Sequence, residues 1–389
     1  MIDFTPDTKL QSIKDQVRGF VETFVIPREA ELTHDLGKLE ALRTELQVEA
    51  KREGLFLPQL PEKLGGMGLD WRQTAVVFEE AGRSLYGPQA LNAAAPDEGN
   101  MHLLYHAATD EQQKRYLEPL AAGEIRSCFA MTEPAPGAGS DPSLLSATAE
   151  RKDGRWEING NKWFITGAEG AAFSIVLVQT SEGPTMFLVN TDNPGFHLRR
   201  TVPTMDTLTP GGHGQIDLVD CAVDDGAVLG EVGKGFEYAQ IRLDPARLTH
   251  CMRWLGIAVR SMEIATGYAL RRESFGSKLS EHQAVQWMVA DSHMEMHAAR
   301  LMIWHAAWKL DMGERVRQET SMTKVFVAET VGRVVDRALQ ICGSLGVSED
   351  IPLSHFYREV RPFRIYDGPS EVHRSSVARR VFRRVAEHA

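Results

Sequence analysis

The sequence is poor in cysteine and has no long apolar run. Its 389 residues include four cysteines, and none of them forms a Cys-x-x-Cys pair: Cys128, Cys221, Cys251 and Cys342. This scattered pattern argues against a disulfide framework and is typical of a reducing compartment. No apolar stretch approaches the roughly 20 residues that a membrane-spanning helix needs. We therefore expect a cytoplasmic protein with no membrane partner.

The sequence also has no excess of basic over acidic residues. The formal net charge is −10 at pH 7, whereas binding to nucleic-acid phosphates requires a basic face. The charge argues against nucleic acid as the main partner, although a few local arginines can still hold a small phosphorylated ligand. The first residues carry Asp3, Asp7 and Asp15 without a continuous apolar core. We therefore expect neither a signal peptide nor a transit peptide.

What the sequence does contain is a change of periodicity along its length, which predicts two or three domains. Up to about residue 125, apolar residues recur at helical spacing, as in the stretch from Lys38 to Arg52. A glycine-rich break at Pro61–Gly68 predicts a turn between helices. The N-terminal third is therefore predicted to be all-helical.

Residues 126–235 show short alternating runs instead. The dipeptides Asp153-Gly154 and Asn159-Gly160 predict tight turns, and the apolar runs Ile175–Val178 and Met186–Val189 predict strands. This middle third is predicted to be a small β-domain.

Helical periodicity returns in residues 236–389. Apolar residues from Val285 to Leu310 mark one face of a helix of about eight turns, and those from Met322 to Cys342 mark another. Long antiparallel helices usually form a bundle, and such bundles often pair with copies of themselves. We therefore expect a helical bundle that assembles into a homo-oligomer.

One carboxylate near the C-terminus is the most informative residue. Asp367 precedes a Gly368-Pro369 step that predicts the start of a helix. The residue fits a general base in a reaction, and it equally fits an N-cap, a role that aspartate fills well. The residues around it leave both interpretations open.

Two segments of the middle third are candidates for ligand contact. Met131–Asp141 combines hydroxyl side chains with glycines, which let backbone amides approach a flat or anionic ligand. Lys162–Gly167 places aromatic rings next to a threonine on a predicted strand. The alternatives are a plain loop for the first segment and core aromatics for the second.

The C-terminal third offers two further candidates. Arg271–Gly276 lies at a corner between predicted helices and can present Arg272 to a phosphate, although a solvated helix end is more common. Gln340–Gly346 closes a helix with glycines that can approach a ligand, and an ordinary C-cap fits it as well.

Histidine pairs at i, i+4 spacing are the sequence's best candidates for a metal site. They are His102/His106 and His293/His297. Neither pair has a nearby third ligand of the usual kind, so we predict no metal site.

Together, these segments occur in an order and spacing that resembles the acyl-CoA dehydrogenase family over essentially the whole chain. Four motifs look closest to the branch of family members ten and eleven: NAAAPDEGNM (92–101), SCFAMTEP (127–134), RLDPARLTHCMR (242–253) and DGPSEVH (367–373). Animal members of that branch carry a fused kinase-like domain, for which this chain is too short. The resemblance implies an α+β multidomain fold with an all-α N-terminal domain (1–125), a middle β-barrel (126–235) and a C-terminal four-helix bundle (236–389).

The resemblance also implies a cofactor, FAD, bound noncovalently at a subunit interface of a homodimer or homotetramer. The family's FAD contacts carry over to Met131, Thr132, Gly139, Ser140, Phe164, Thr166, Arg272, Ser274, Phe275, His282, Gln340, Gly343 and Ser344. Three departures from the family pattern lie at or near the positions expected to contact the flavin. Ala135-Pro136 lengthens the first loop, Phe164 replaces a tryptophan, and Pro369 stands where threonine is common.

The implied reaction is the α,β-dehydrogenation of an acyl-CoA thioester to the trans-2-enoyl-CoA, as in fatty acid β-oxidation. Asp367 matches the family's catalytic base, which removes the α-proton while hydride leaves the β-carbon for flavin N5, although most members have glutamate there. The family's other location for the base is Ala246 in this chain, which cannot serve, and Asp244 is a lesser candidate. Arg374 is expected either to orient Asp367 or to be a surface arginine.

Substrate and partner contacts follow from the same resemblance. The substrate is expected to contact Ser140, Asp244, Arg247, Tyr366 and Gly368, and an electron-transfer flavoprotein is the expected electron acceptor.

Two alternative functions stay open. Nitroalkane oxidase resembles this family and uses an aspartate base, so an oxidase on the same fold also fits. The other is a non-catalytic flavin- or acyl-CoA-binding protein that kept the fold.

Overall fold

The computed structural model describes residues 7–32, 35–206 and 208–388. The chain forms two compact units. The first comprises Met1–Glu31, Leu69–Leu91 and Arg247–Ala389, and the second comprises Leu32–Gly68 and Asn92–Ala246. Along the sequence, helical N- and C-terminal parts flank a middle sheet, which confirms the predicted fold class. The predicted domain boundaries at residues 125 and 235 stay predictions.

The three longest helices among the described residues lie in the C-terminal part. The helices are α1 (Thr8–Phe20), α2 (Leu36–Arg52), α3 (Trp71–Ala81), α4 (Gly87–Ala90), α5 (Asp97–Ala107), α6 (Asp110–Gln112), α7 (Glu118–Ala121), α8 (Gly235–Ala269), α9 (Gln283–Asp311), α10 (Arg317–Cys342), α11 (Ser344–Val347), α12 (Leu353–Val360) and α13 (Ser370–His388). The strands are β1 (Ser127–Ala130), β2 (Thr148–Lys152), β3 (Arg155–Thr166), β4 (Phe173–Thr180), β5 (Gly183–Asn190), β6 (Phe196–Thr201), β7 (His213–Val223), β8 (Val228–Leu229), β9 (Glu273–Ser274) and β10 (Ser277–Lys278).

The first unit is a helical bundle centred on α10, which packs against α9, α12 and α13. The apolar face predicted for α9 is the face that is buried, with Met296, Ala299 and Ile303 in the core. The helix α10 ends at Cys342 because Gly343 adopts a φ of +59°, a conformation that glycine tolerates best. The two long helices predicted from periodicity are therefore confirmed.

A short hairpin between α8 and α9 was not predicted. Strands β9 and β10 pair antiparallel around Phe275 and Gly276, whose φ angles are +53° and +84°. Two consecutive positive φ angles are the signature of a type I′ turn, which matches the twist of a hairpin. The corner that the sequence predicted between helices is thus a hairpin with an aromatic residue at its tip.

The second unit contains an eight-stranded sheet with strand order β6-β7-β3-β2-β4-β5-β8, and β1 pairs with β4. The turn predicted at Asp153-Gly154 joins β2 to β3 and is confirmed, with both residues at positive φ. The turn predicted at Asn159-Gly160 is wrong, because both residues lie inside β3. Gly160 marks a bulge there, and a Cβ on it would lie 2.4 Å from the Ala147 Cβ.

None of the helices within residues 7–32, 35–206 and 208–388 combines the length and the apolar character that crossing a membrane requires.

Candidate active site

Asp367 lies in a tight turn immediately before α13. Its φ is +52° and that of Gly368 is +98°, so two consecutive residues adopt the left-handed region that aspartate and glycine tolerate better than most residues. In the first backbone hydrogen bond of α13, the His373 N–H donates to the Pro369 carbonyl. Asp367 therefore lies two residues outside the position that caps the helix. Its side chain is 20% exposed, and Oδ2 lies 3.3 Å from Nε2 of His250 on α8.

Three side chains from three helices hold the backbone of this turn. The Asp367 carbonyl accepts a hydrogen bond from Arg247 Nε at 2.9 Å and lies 3.1 Å from His373 Nε2. The Gly368 carbonyl accepts one from Lys324 Nζ at 2.7 Å. Contacts from α8, α10 and α13 together fix the backbone conformation of the turn. Several such contacts are what allows a strained turn to persist in a folded protein.

Burial sets the electrostatics around the turn. It lowers the pKa of Lys324 to about 8, although the charge of Asp367 acts in the opposite direction. It also lowers the pKa of His373 to about 4, which keeps that imidazole neutral at pH 7. Burial raises the pKa of Cys251 to about 12, so its thiol stays protonated beside Lys324.

Aromatic rings line the same turn. The Tyr366 hydroxyl accepts a hydrogen bond from Trp254 Nε1 at 2.5 Å. The Tyr366 ring packs on Phe363 with centroids 5.5 Å apart, and on His250 at 4.9 Å. The residue before Asp367 is therefore fixed by packing and by a hydrogen bond.

Arg374 has a different partner from the one that its spacing predicts. Its Nη1 lies 3.5 Å from Glu329 Oε1, and the side chain is 55% exposed. Glu329 belongs to α10 and also pairs with Arg364 at 2.7 Å. The face of α13 that carries Arg374 points toward this acidic residue. A role for Arg374 in orienting Asp367 stays a prediction.

We expect Gly368→Ala to disrupt the turn. A Cβ at this position would lie 2.7 Å from His373 Nε2, and the φ of +98° is unfavourable for alanine. The free energy of unfolding should fall by about 1–3 kcal/mol in urea denaturation. The matched control is Gly267→Ala in α8, where the nearest atom lies at an ordinary 3.6 Å and alanine is favoured in a helix. An equal loss in both variants would contradict the prediction.

In the second unit, a buried ion pair organises the loop that begins at Met131. Lys162 Nζ lies 2.7 Å from Glu133 Oε1 and also donates to the carbonyls of Met131 and Leu177. Glu133 accepts further hydrogen bonds from Ser146 and from the backbone amides of Ala138 and Ala147. Both side chains of the pair are essentially inaccessible to solvent.

The pKa values of this pair follow from its surroundings. Burial raises the pKa of Glu133, but the Lys162 charge and the Ser146 donors outweigh it and bring the pKa to about 2. Burial lowers the pKa of Lys162 to about 8 against the pull of Glu133. Glu133 therefore stays ionised, and it anchors both ends of the segment from residue 133 to residue 147.

The predicted flavin strand presents Phe164 in an unusual conformation. Phe164 has a φ of +51° at a bulge in β3, and its side chain is 44% exposed. A bulky residue in this region is an outlier that often marks a functional site. Nearby, Thr166 Oγ1 lies 3.0 Å from His213 Nδ1, and His213 Nε2 lies 2.9 Å from Asp206 Oδ2.

Other predicted residues of the second unit lie at its surface or support it through their backbone. Thr132 accepts a backbone hydrogen bond from Trp163, and Gly139 and Ser140 are exposed. A Cβ added to Gly139 would meet no atom within 4 Å, which leaves its backbone open to a ligand. Asp244 lies on α8 and is partly buried.

The residues predicted to hold the ADP half of FAD form two groups in the first unit. Arg272, Ser274, Phe275 and His282 belong to the hairpin, where His282 Nε2 lies 3.1 Å from the Ser274 carbonyl. The Phe275 side chain is 99% exposed. The second group, Gln340, Gly343 and Ser344, is exposed at the end of α10.

The sequence analysis missed four residues that shape the two sites: His250, Lys162, Lys324 and His373. A signal for His250 was available, because it follows Arg247 by one helical turn and so shares its face. No local signal marks Lys162 or Lys324 as a buried residue. Lysine is rarely buried unless it is paired, and the local sequence does not show the partner. No group of His, Cys, Asp and Glu suitable for a metal ion occurs within the part of the chain that the structure describes.

Comparisons with known proteins match most of the described chain. The acyl-CoA dehydrogenase N-terminal domain matches residues 7–124, the middle domain matches 128–216, and the C-terminal domain matches 233–382. The chain is 37% identical to acyl-CoA dehydrogenase family member 11 of Gallus gallus, over 97% of this chain and 51% of that protein. It thus spans about half the length of that relative.

Two bacterial proteins are similar over more of their own length. The Mycobacterium tuberculosis protein "Probable acyl-CoA dehydrogenase FadE2" is 38% identical over 86% of this chain and 84% of that protein. The structure of butyryl-CoA dehydrogenase from Megasphaera elsdenii has a TM-score of 0.87 and 27% identity, covering 98% of this chain and 100% of that one. This chain belongs to the acyl-CoA dehydrogenase family.

Proposed function

We propose that this chain is an FAD-dependent enzyme that dehydrogenates an acyl-CoA thioester between its α and β carbons. The observation that supports this best is the Asp367 turn. Contacts from α8, α10 and α13 hold its backbone just before α13, and His250 on α8 lies against its carboxylate. A general base must be fixed relative to the proton that it removes, since a misplacement of about 1 Å can cost about a hundredfold in rate.

The chain's own residues supply proton transfer and orientation. Asp367 takes the α-proton, and its pKa must rise when a substrate displaces water from around the carboxylate. The thioester oxygen gains negative charge in the transition state and needs hydrogen-bond donors already in place. We assign one donor to the backbone N–H of Asp367. FAD, when bound, supplies the acceptor for the hydride that leaves the β-carbon.

The residues present fit FAD. Phe164 and Phe275 expose aromatic rings from positive-φ positions, which suits stacking on flat ring systems. Gly139 and Gly343 leave open space where a Cβ would stand, so their backbone can approach a ligand closely. We propose that Phe164, with Thr166, contacts the flavin.

In this proposal, a second copy of the chain contributes to each FAD site. The hairpin residues Arg272 and Phe275, with Gln340 and Gly343, are assigned to the ADP half of an FAD bound by a neighbouring subunit. This requires a homodimer or homotetramer. We assign the oxidation of the reduced cofactor to an electron-transfer flavoprotein.

The proposal is tested by mixing the FAD-bound protein anaerobically with a panel of acyl-CoA thioesters, including 4-hydroxyacyl thioesters, and with nitroalkanes. We expect loss of the oxidised flavin absorbance with at least one thioester and formation of the 2-enoyl-CoA, detected by mass spectrometry. Bleaching by nitroalkanes alone would assign an oxidase function instead. No bleaching by any compound at full FAD occupancy would favour a binding protein and overturn the proposal.

We expect Phe275→Ser to weaken FAD retention without affecting the fold. The side chain is 99% exposed at the tip of a hairpin, so its loss should change the free energy of unfolding of the apoprotein by less than about 0.5 kcal/mol. The FAD that remains after gel filtration should fall severalfold. The matched control is Met312→Ser, an exposed apolar residue at the end of α9 that retains normal FAD content. Normal FAD retention in Phe275→Ser would contradict the assignment.

A further inference from the structure

Three side chains in the first unit form a linear arrangement that ends on the Asp367 carboxylate. Arg253 Nη2 lies 3.2 Å from His250 Nδ1, and His250 Nε2 lies 3.3 Å from Asp367 Oδ2. His250 and Arg253 are three residues apart on α8 and therefore share one face of the helix. The order along the arrangement is guanidinium, imidazole, carboxylate.

The contact with Arg253 favours one tautomer of His250. The Arg253 guanidinium has donors and no acceptor and stays charged at all relevant pH values. The contact is satisfied when His250 Nδ1 accepts, and in that tautomer the single ring proton is on Nε2, 3.3 Å from Asp367 Oδ2. A doubly protonated ring has no acceptor for Arg253, so the contact with Arg253 disfavours the imidazolium form.

Packing fixes the orientation of the imidazole. The ring of His250 lies against Tyr366 at 4.9 Å and against Phe363 at 5.9 Å between centroids, and its side chain is only 12% exposed. Arg253 is itself buried and lies over the ring of Phe78 at 5.6 Å. The imidazole is held on two sides, so its N–H has little freedom to leave the carboxylate.

We propose that His250 is a positioning residue for the base: its Nε2–H holds the Asp367 carboxylate through Oδ2 in the orientation for proton transfer, and Arg253 keeps His250 neutral. This inference rests on the proposed role of Asp367. A hydrogen bond to the charged carboxylate favours its ionised form, so His250 keeps the base ready to accept a proton.

Other charged groups surround the turn and affect its titration. Arg247 and Lys324 donate to the backbone carbonyls of Asp367 and Gly368. The titratable and charged groups on the elements packed there include Arg247, His250, Cys251 and Arg253 on α8, Lys324 and Glu329 on α10, Arg364 and Tyr366 before the turn, and His373 and Arg374 on α13. The test therefore compares variants that differ at residue 250 and leave all of these other groups unchanged.

The test compares His250→Phe with His250→Gln in the FAD-bound enzyme. Phenylalanine keeps a packed ring but has no donor, whereas glutamine carries an N–H at about the reach of His Nε2. The readout is the pH profile of flavin reduction by the fastest thioester of the panel in single-turnover experiments. We expect the acid limb of His250→Phe to move up by about one pH unit, and that of His250→Gln to return most of the way. The matched control is His305→Phe, an exposed histidine on α9.

A spectroscopic measurement tests the protonation state without turnover. In FAD-bound protein labelled with ¹⁵N-histidine, the His250 signals are identified by their loss in His250→Gln. We expect the pattern of a neutral Nε2–H ring from pH 5 to pH 8. In Arg253→Met, we expect a second proton to bind to the ring as the pH is lowered over the same range.

Three outcomes overturn the proposal: an unshifted acid limb in His250→Phe, equal shifts in the Phe and Gln variants, or an Nδ1–H or doubly protonated His250 at pH 7. Failure of the proposed function is a separate result. Normal flavin reduction in Asp367→Asn removes the base assignment, whereas an inactive Asp367→Asn with an unshifted His250→Phe profile removes only the positioning role.

Discussion

Asp367→Asn should abolish flavin reduction by acyl-CoA while FAD and thioester binding are retained. Removing a general base typically lowers the rate by about 10²–10⁴-fold. Asparagine is well suited to this test because it has nearly the same size as aspartate and also tolerates the φ of +52° at this position. The contacts of Arg247 and His373 go to the backbone carbonyl of residue 367, so they survive the change.

The control for this variant is Asp220→Asn. Asp220 has a φ of +47° and is exposed on β7, so the same substitution is made in the same backbone conformation outside the predicted site. Stopped-flow reduction with the fastest thioester gives the rate, and thioester binding is measured from the perturbation of the oxidised flavin spectrum. Near-normal reduction in Asp367→Asn would move the base to Asp244 or to another residue.

Among the substitutions proposed for this protein, Lys162→Met should lower the free energy of unfolding the most. It removes the cation from a pair whose side chains are both inaccessible, and breaking a buried pair from one side costs about 3–5 kcal/mol. Methionine fills a similar volume, so the loss arises from the unpaired Glu133 carboxylate and from the carbonyls of Met131 and Leu177 that lose a donor. The unfolding midpoint in urea should fall accordingly.

The control is Lys152→Met in the neighbouring strand β2. Lys152 pairs with Glu157, but its side chain is 56% exposed, and such surface pairs contribute about 0–1 kcal/mol. A comparable loss of stability in both variants would contradict the importance of burial. The FAD content of Lys162→Met should also fall, because the segment that begins at Met131 loses its anchor.

The same pair gives wild-type stability a pH dependence. The pKa of Glu133 lies at about 2 in the folded protein, below its ordinary value of 4.5. The contribution of its ionised form is therefore complete above pH 4.5 and is lost as the pH falls through about 2. In Lys162→Met the folded pKa of Glu133 should rise, so that acid unfolding begins at a higher pH.

Much of the fold could be predicted from local patterns. Helical periodicity located α9 and α10, because an apolar stripe that continues over many turns fits an amphipathic helix and does not fit a strand. Asp153-Gly154 gave the correct hairpin turn, whereas Asn159-Gly160 did not. The two dipeptides look alike in sequence, but Gly160 is required by the close approach of Ala147 across the bulge. That is a tertiary reason, and it has no local signature.

The candidate site divides in the same way. The sequence by itself determined the fold class, the family resemblance and the identity of Asp367, because these depend on residue types at fixed spacings. Only the tertiary structure decided which groups meet the carboxylate. Arg374 lies on the helix that follows Asp367 yet pairs with Glu329, while His250, more than a hundred residues earlier in the chain, lies against Oδ2.

The structure also supplies a reason for aspartate at this position. Residue 367 adopts a φ of +52°, and short polar side chains such as aspartate tolerate the left-handed region better than glutamate, since they can hydrogen-bond locally. The contacts of Arg247, Lys324 and His373 with the turn hold this conformation. The sequence determines which acid is present; packing among three helices determines its backbone conformation and its partners, because those contacts join residues that are distant along the chain.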